Sequence, residues 1–302
     1  MRINFLVNEV QGGWEPTDKR LGGTEESVRE WAKELSIRGH EVAVYHNKRE
    51  NIVVTDHGAH YYPREMYQGD RDVCINIKSS EVAPQEPTLY LTNEVDADKL
   101  DLSAYDGVIW PSKWARDNIP VNNKTFILPH GYDDKKINSY HKKISKQCLY
   151  ASSPDRGLDT LLRAWPSVVK AHPDATLIVT YNAPEYDIPG VTFMDATEDE
   201  MNELYNISDI WCHPANGGEL YCMTGIKAQA AGCVPVYNPV MALKETVRHG
   251  YYPVDLDYMR LLVAVLSSTD EREEVRKQLA EEHYPTWSDS TDRLLEIINT
   301  VV

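Results

Sequence analysis

The sequence predicts an α/β protein built on two mostly parallel sheets. Short apolar runs alternate with amphipathic segments almost from end to end, the pattern of βαβ units. The chain has 302 residues, more than the about 100 to 150 around which single domains cluster. Near its midpoint lies DDKKINSYHKKISKQ (133–147), polar and almost free of large apolar residues, which reads as a linker between two domains.

In the first half, strands are expected at Asn4–Val7, Glu41–Tyr45, Val73–Ile77, Thr88–Leu91, Gly107–Trp110 and Thr125–Leu128. The clearest helix is TEESVREWAKELSIRGH. Val28, Trp31, Ala32 and Leu35 recur at three- and four-residue steps to give one apolar stripe, and Gly39 sits where a helix stops. Thr24 is the expected N-cap, with Glu25 and Glu26 in the first turn. After the midpoint CLYASS (148–153) reads as a strand, followed by a helix bearing Leu158, Leu161, Leu162 and Trp165. Pro166 should kink or break that helix, because it cannot donate to the carbonyl four residues back. Further strands are expected at Thr176–Thr180, Val191–Phe193, Asp209–Cys212 and Val234–Tyr237, a short helix at Thr224–Ala231 ending at Gly232, and a last helix near Ser288–Val301.

Composition narrows the function classes. About 42% of residues are apolar and no low-complexity run interrupts them, as in folded proteins. The opening MRINFLVNEV is too short for a secretory apolar region, and no run reaches the roughly 18 apolar residues of a membrane span, so any membrane contact is expected to be peripheral. Cys74, Cys148, Cys212, Cys222 and Cys233 are odd in number and lack a paired CxxC spacing, which points to a reducing cytoplasmic location without a structural zinc site. The net charge of -16 repels polyanions and argues against nucleic acid as a partner.

Three loops carry residue types suited to a phosphorylated sugar. In LGGTEES (21–27), Gly22 and Gly23 open a helix and would aim backbone N–H groups at an anion, although an isolated glycine pair fits a flexible turn equally well. In SSPDRGLDTLL (152–162), Arg156 would place a guanidinium beside amide donors, or pair with Asp155 or Asp159 in solvent. In GGELYCMTGIKAQAAGCVPV (217–236), Glu219 follows a strand and would face the crevice where α/β proteins bind ligands, accepting hydrogen bonds from sugar hydroxyls. Capping a helix start is the alternative.

The succession of GGTEE, PHGYD (129–133), SSPDRGLDTLLRAW, VTFMDATEDEMNELYNISDIWCHP, the loop with Glu219, KAQAAGCVPV and LKETVRHG (243–250) resembles glycosyltransferase family 4, the group 1 glycosyltransferases. The resemblance runs from Leu21 to Gly250 and is closest from Leu149 to Gly250. It implies an α/β fold of the GT-B type, two Rossmann-like domains facing across a central cleft. These would be residues 1–140 on the acceptor side and 141–285 on the nucleotide-sugar donor side, with 286–302 a C-terminal helix crossing back to the first domain. It also implies retaining transfer of a sugar from a UDP or GDP type donor, with no cofactor and no essential metal.

By the motif match, Arg156 would neutralise the diphosphate leaving group and Glu219 would touch the donor sugar. Gly22 and Gly23 would lie beside the phosphates, and the backbone N–H groups of Tyr221 and Cys222 would hold sugar and phosphate. The chain departs from the pattern at three places. Lys227 stands where the Glu-x7-Glu motif has its second glutamate, and a lysine has donors but no acceptor for ribose hydroxyls. Ser152 or Ser153 replaces a second basic residue, and the first domain's histidine is absent from LTNEVD (91–96). Lys227 therefore binds the donor in an altered way, matches a donor that is not an ordinary ribonucleotide sugar, marks a site that has become a binder or partner subunit, or points to solvent.

Asn93, Glu94 and His130 are candidate sugar or acceptor contacts, the acceptor being a glycan, a glycolipid or another small acceptor. His46 follows a strand and fits a cleft or an edge, Glu245 would order the loop before its helix, and Asp96 with Asp98 forms a weak metal-binding pattern in so acidic a chain. A GT-B epimerase is a further alternative, since fold does not fix function.

Overall fold

The computed structural model describes residues 1–7, 13–47, 53–78, 87–181, 186–254 and 257–302. The chain divides into two units, Met1–Gly131 with Pro285–Val302, and Tyr132–Tyr284.

The first unit holds β1 (Arg2–Val7), α1 (Gly23–Ile37), β2 (Glu41–His46), β3 (Val54–Asp56), β4 (Ala59–Pro63), β5 (Val73–Ile77), β6 (Thr88–Leu91), β7 (Gly107–Trp110), α2 (Lys113–Asn118) and β8 (Thr125–Ile127). The strands form one sheet in the order β3-β4-β2-β1-β5-β6-β7-β8. Every neighbouring pair is parallel except β3 with β4. Strands such as VCINI are buried at every position, as a sheet covered on both faces requires.

The hairpin of β3 and β4 is an element that apolar runs do not reveal. Its turn residues His57 and Gly58 both have positive φ, the arrangement that matches a two-residue turn to strand twist. Its strands are short and partly exposed, so they carry no continuous apolar signal. The N-cap of α1 is Gly22 rather than Thr24, and no side chain bonds the cap. A Cβ at Gly22 would collide with the Glu25 carboxylate, which folds back over that end of the helix.

The second unit holds β9 (Ile144–Tyr150), α3 (Leu158–Ala171), β10 (Thr176–Val179), β11 (Val191–Phe193), α4 (Glu198–Ile207), β12 (Ser208–His213), α5 (Met223–Ala230), β13 (Val234–Tyr237), α6 (Leu243–Thr246), α7 (Tyr258–Ser267) and α8 (Thr269–Glu281). Its parallel sheet runs β11-β10-β9-β12-β13. Helix α3 continues through Pro166. The proline is on the exposed face, where water can serve the carbonyl it leaves unbonded, while buried Leu158, Leu161, Leu162, Trp165 and Val168 pin the helix on both sides of it.

The polar stretch 133–147 is no linker. Ile137 is buried, and Lys143 Nζ donates to the backbone oxygens of Tyr205, Asn206 and Ala231 at 3.1, 2.8 and 2.5 Å. Burial pulls its ammonium pKa below the usual lysine value. A charged side chain reads as solvated in a sequence, but here three carbonyls replace the water it loses.

The last helix, α9 (Trp287–Ile298), belongs to the first unit. Trp31 Nε1 on α1 donates to Ser290 Oγ at 2.9 Å, and Ser290 Oγ donates to Pro129 O at 2.6 Å. Gly131 permits the contact, since a Cβ there would run into the backbone of Thr286 and Trp287. Among the described residues no helix is long and apolar enough to cross a membrane.

Candidate functional site

In the second unit, β9 and β12 are paired neighbours whose carboxyl ends lead into the loops that carry Arg156 and Glu219. Beyond β9, Pro154–Arg156 makes one 3-10 turn, and Gly157 follows at φ 91° in the left-handed region. No other residue fits there, because a Cβ would strike Pro214 O at the end of β12. This close approach brings Arg156 against the loop 217–219. Gly218, also left-handed at φ 78°, leaves room for the guanidinium, which a Cβ would displace.

Arg156 Nε lies 3.5 Å from Glu219 Oε1, and its Nη1 donates to Gly217 O at 3.4 Å. It also pairs with Asp155 at 3.2 Å, so the surface pairing and the loop contact coexist. The Glu219 carboxylate is buried and accepts from His213 Nε2 at 3.0 Å. A carboxylate has no proton to give, so the imidazole carries its hydrogen on Nε2. His213 ends β12, is fully buried, and stacks on Trp211 with ring centroids 4.7 Å apart. Glu219 O accepts from Ala242 N, which ties the loop to the start of α6.

Tyr221 turns its side chain into the core of the unit. Cys222, the N-cap of α5, has φ 71°, a conformation that favours glycine. Its thiol lies 3.7 Å from His213 Nε2 and 3.4 Å from Thr224 Oγ1; burial, with Glu219 beside it, pushes the thiol pKa up. Lys227 is half-buried in α5, five residues beyond this cap. Arg156, Glu219 and Cys222 are thus brought together. His213 joins them unannounced by the sequence, where its only signal is its place at the end of DIWCHP.

The first unit gathers a second group. Ser27 Oγ donates to Gly23 O at 2.6 Å, and His130 Nδ1 lies 2.9 Å from the same hydroxyl. The opposite ring nitrogen is 3.3 Å from the Asn93 side chain, and Trp31 stacks on the ring at 5.4 Å. Burial, with Lys78 nearby, lowers the His130 pKa to about 3, so the ring is neutral at ordinary pH and no general base. Ser27, which the sequence does not single out, thereby links Gly23 to His130, and His130 in turn reaches Asn93. Glu94 stands apart, accepting from Tyr90 OH at 3.2 Å.

The remaining candidates fall outside both groups. His46 is fully buried against Trp14 at 4.2 Å, a core position. Asp96 and Asp98 are exposed around the short turn Ala97–Lys99, with Lys99 Nζ 3.5 Å from Asp96. Glu245 sits in the first turn of α6.

Residues 146–279, which contain the Arg156–Glu219 group, match the family model described as Glycosyl transferases group 1. The match covers most of the second unit, Tyr132–Tyr284. Phosphatidyl-myo-inositol mannosyltransferase of Mycobacterium tuberculosis is 26% identical over 205 residues, 61% of this chain and 49% of the mannosyltransferase. The chain therefore spans about half the length of the curated relatives it matches. Among solved structures, sucrose-phosphate synthase of Thermosynechococcus elongatus is similar at a TM-score of 0.77 and 14% identity, covering 99% of both chains. HepE of Anabaena, solved with UDP and glucose, is similar at 0.70 and 13%, covering 99% of this chain and 100% of its own. The likeness establishes the fold as GT-B, with the residues that match the family model lying in the second Rossmann-like unit.

Proposed function

We propose that the protein is a retaining glycosyltransferase that moves a hexose from a nucleotide-diphosphate donor to a glycan, glycolipid or other small acceptor. The donor binds the second unit and the acceptor the first unit. The observation that carries this assignment is the pairing of one fixed cation, Arg156, with one buried carboxylate, Glu219, at the ends of adjacent strands.

Breaking the bond between the anomeric carbon and the diphosphate leaves negative charge on the leaving oxygen, which Arg156 is placed to stabilise. Glu219, held by His213, accepts from hydroxyls of the donor sugar. Backbone N–H groups of Tyr221 and Cys222 supplement Arg156 on the phosphates, and Lys227 takes a nucleotide contact that a carboxylate would make elsewhere in the family. In the first unit, Gly22 and Gly23 open a 15-residue helix whose N-terminal dipole favours a phosphate, while Asn93, Glu94 and His130 shape the acceptor side. The UDP and glucose of HepE support a sugar nucleotide as donor class. No metal is required where a guanidinium supplies the charge, and five free thiols suit the cytoplasm.

Lys227 favours one other assignment, a non-catalytic GT-B protein that binds a sugar nucleotide or a partner subunit. Release of nucleoside diphosphate from UDP- and GDP-hexoses, followed without acceptor, separates the two. Slow hydrolysis supports the transferase, and tight binding without hydrolysis supports the binder. The anomeric configuration of a transferred sugar, read by NMR, tests retention.

A further inference from the structure

The thiol of Cys222 and the imidazole of His213 have no role in sugar transfer beyond holding Glu219, yet they form a compact donor set with it. One ligating atom from each of His213, Glu219 and Cys222 lies within 4.8 Å of the other two, the only such trio found among the described residues. A tetrahedral ion about 2.0 Å from nitrogen, about 2.1 Å from oxygen and about 2.3 Å from sulfur sets its ligand atoms roughly 3.3 to 3.6 Å apart. The observed 3.0 Å from His213 Nε2 to Glu219 Oε1 and 3.7 Å from Nε2 to Cys222 Sγ bracket that spacing. Side-chain adjustments of a few tenths of an ångström on these two edges suffice.

We propose that His213, Glu219 and Cys222 bind one zinc-class divalent cation. The donor set decides the class: imidazole with thiolate selects zinc and its neighbours, whereas magnesium and calcium take oxygen ligands. Three protein ligands leave a fourth position open. On binding, the Cys222 thiol gives its proton to solvent and the His213 proton moves from Nε2 to Nδ1. No hydrogen bond holds Nδ1, so nothing around the ring fixes the opposite tautomer. The ion takes the place of the hydrogen bond from His213 Nε2 to Glu219 and competes with the Arg156 ion pair for the same carboxylate. Its consequence rests on the donor assignment above: a carboxylate bound to metal is withdrawn from the donor sugar, so the cation inhibits transfer.

The test is titration of the chelator-treated full chain with cobalt(II), read by thiolate-to-cobalt charge-transfer absorption. The other four cysteines are fully buried, so a thiolate band reports Cys222. Expected is one equivalent per native chain and no thiolate band in Cys222→Gly, whose cobalt affinity, read by calorimetry, falls more than about 100-fold, beyond the loss typical of an outer-shell partner. Glycine suits φ 71°, and circular dichroism confirms that the variant is folded. Absence of a thiolate band, or an unchanged band in Cys222→Gly, overturns the site. Cobalt should also suppress nucleotide release by the native chain and not by Cys222→Gly, whatever rate the variant starts from. Suppression equal in both overturns the inhibitory role. A native chain that never turns over a donor removes the transferase assignment instead, and the cobalt band still decides the metal site.

Discussion

Arg156 and His213 converge on one oxygen of Glu219: Arg156 Nε is 3.5 Å from Glu219 Oε1, the same atom that accepts from His213 Nε2 at 3.0 Å. The backbone enforces this pairing, because Gly157 lets the arginine turn pass Pro214 and Gly218 leaves space for the guanidinium. Position and charge can therefore be varied separately.

If Arg156 stabilises the leaving group as proposed, Arg156→Ala should lower turnover by about 100- to 1,000-fold, the usual cost of losing one such donor. Gly218→Ala keeps the arginine and pushes its guanidinium off the loop, so turnover should also fall, by at least about tenfold, although φ 78° adds strain. Nucleoside-diphosphate release, measured beside thermal unfolding, checks both. Native turnover in a folded Gly218→Ala protein would show that guanidinium placement does not matter.

Lys227 is half-buried on a helix whose other side is core, so Lys227→Glu should fold. If the lysine contacts the nucleotide, calorimetric titration with UDP, GDP and ADP should show the preferred one weakened about tenfold, or about 1.4 kcal/mol. The opposite result, no binding by the native chain and binding restored by Lys227→Glu, would mean that the native site has lost its ribose contact, and the non-catalytic assignment would replace the transferase.

His130 links acidity to stability in the first unit. Its folded pKa is about 3, below the about 6.5 of an unfolded histidine. Between these values the unfolded chain binds a proton that the folded ring refuses. The penalty is absent above about pH 6.5 and grows as pH falls, by about 1.4 kcal/mol per pH unit and so about 2 kcal/mol at pH 5. His130→Gln removes the titrating ring, so urea unfolding at pH 7.5 and pH 5 should show a shallower fall in stability than in the native chain. Parallel falls in the two proteins would place the acid sensitivity elsewhere.

The sequence made the sheets legible because parallel strands buried on both faces are continuous apolar runs: VCINI, GVIW and VPVY end where they were expected to end. It hid what depends on polar groups finding partners across the chain. The β3–β4 hairpin has no apolar run, and Lys143 is charged yet held by three carbonyls. At the site, Arg156 and Glu219 stand out by residue type and loop position. Their contact depends on Gly157 approaching Pro214, a relation between residues far apart in the chain that no local pattern encodes. Ser27 and His213 are hidden for the same reason, since their partners lie on other elements.

Ser290 shows how the chain's last helix is built into its first unit. Its hydroxyl donates to Pro129 O and accepts from Trp31 Nε1, and it is nearly fully buried. Ser290→Ala would orphan the buried Trp31 Nε1–H and leave the part-buried Pro129 O without its protein donor, at a cost of about 1–3 kcal/mol for the buried group and less for the other. A loss of at least about 2 kcal/mol in urea unfolding is expected. Ser288→Ala is the control, because that hydroxyl is exposed on the same helix where it meets Arg38, and such contacts are worth under about 1 kcal/mol. Because α9 reaches α1 only after the whole second unit has been threaded, the first unit cannot complete its core until the end of the chain is present. Loss confined to Ser290→Ala supports that coupling; equal small effects in both variants would mean that α9 is held by its apolar face, Trp287, Leu294 and Ile297, and not by this hydrogen-bond relay.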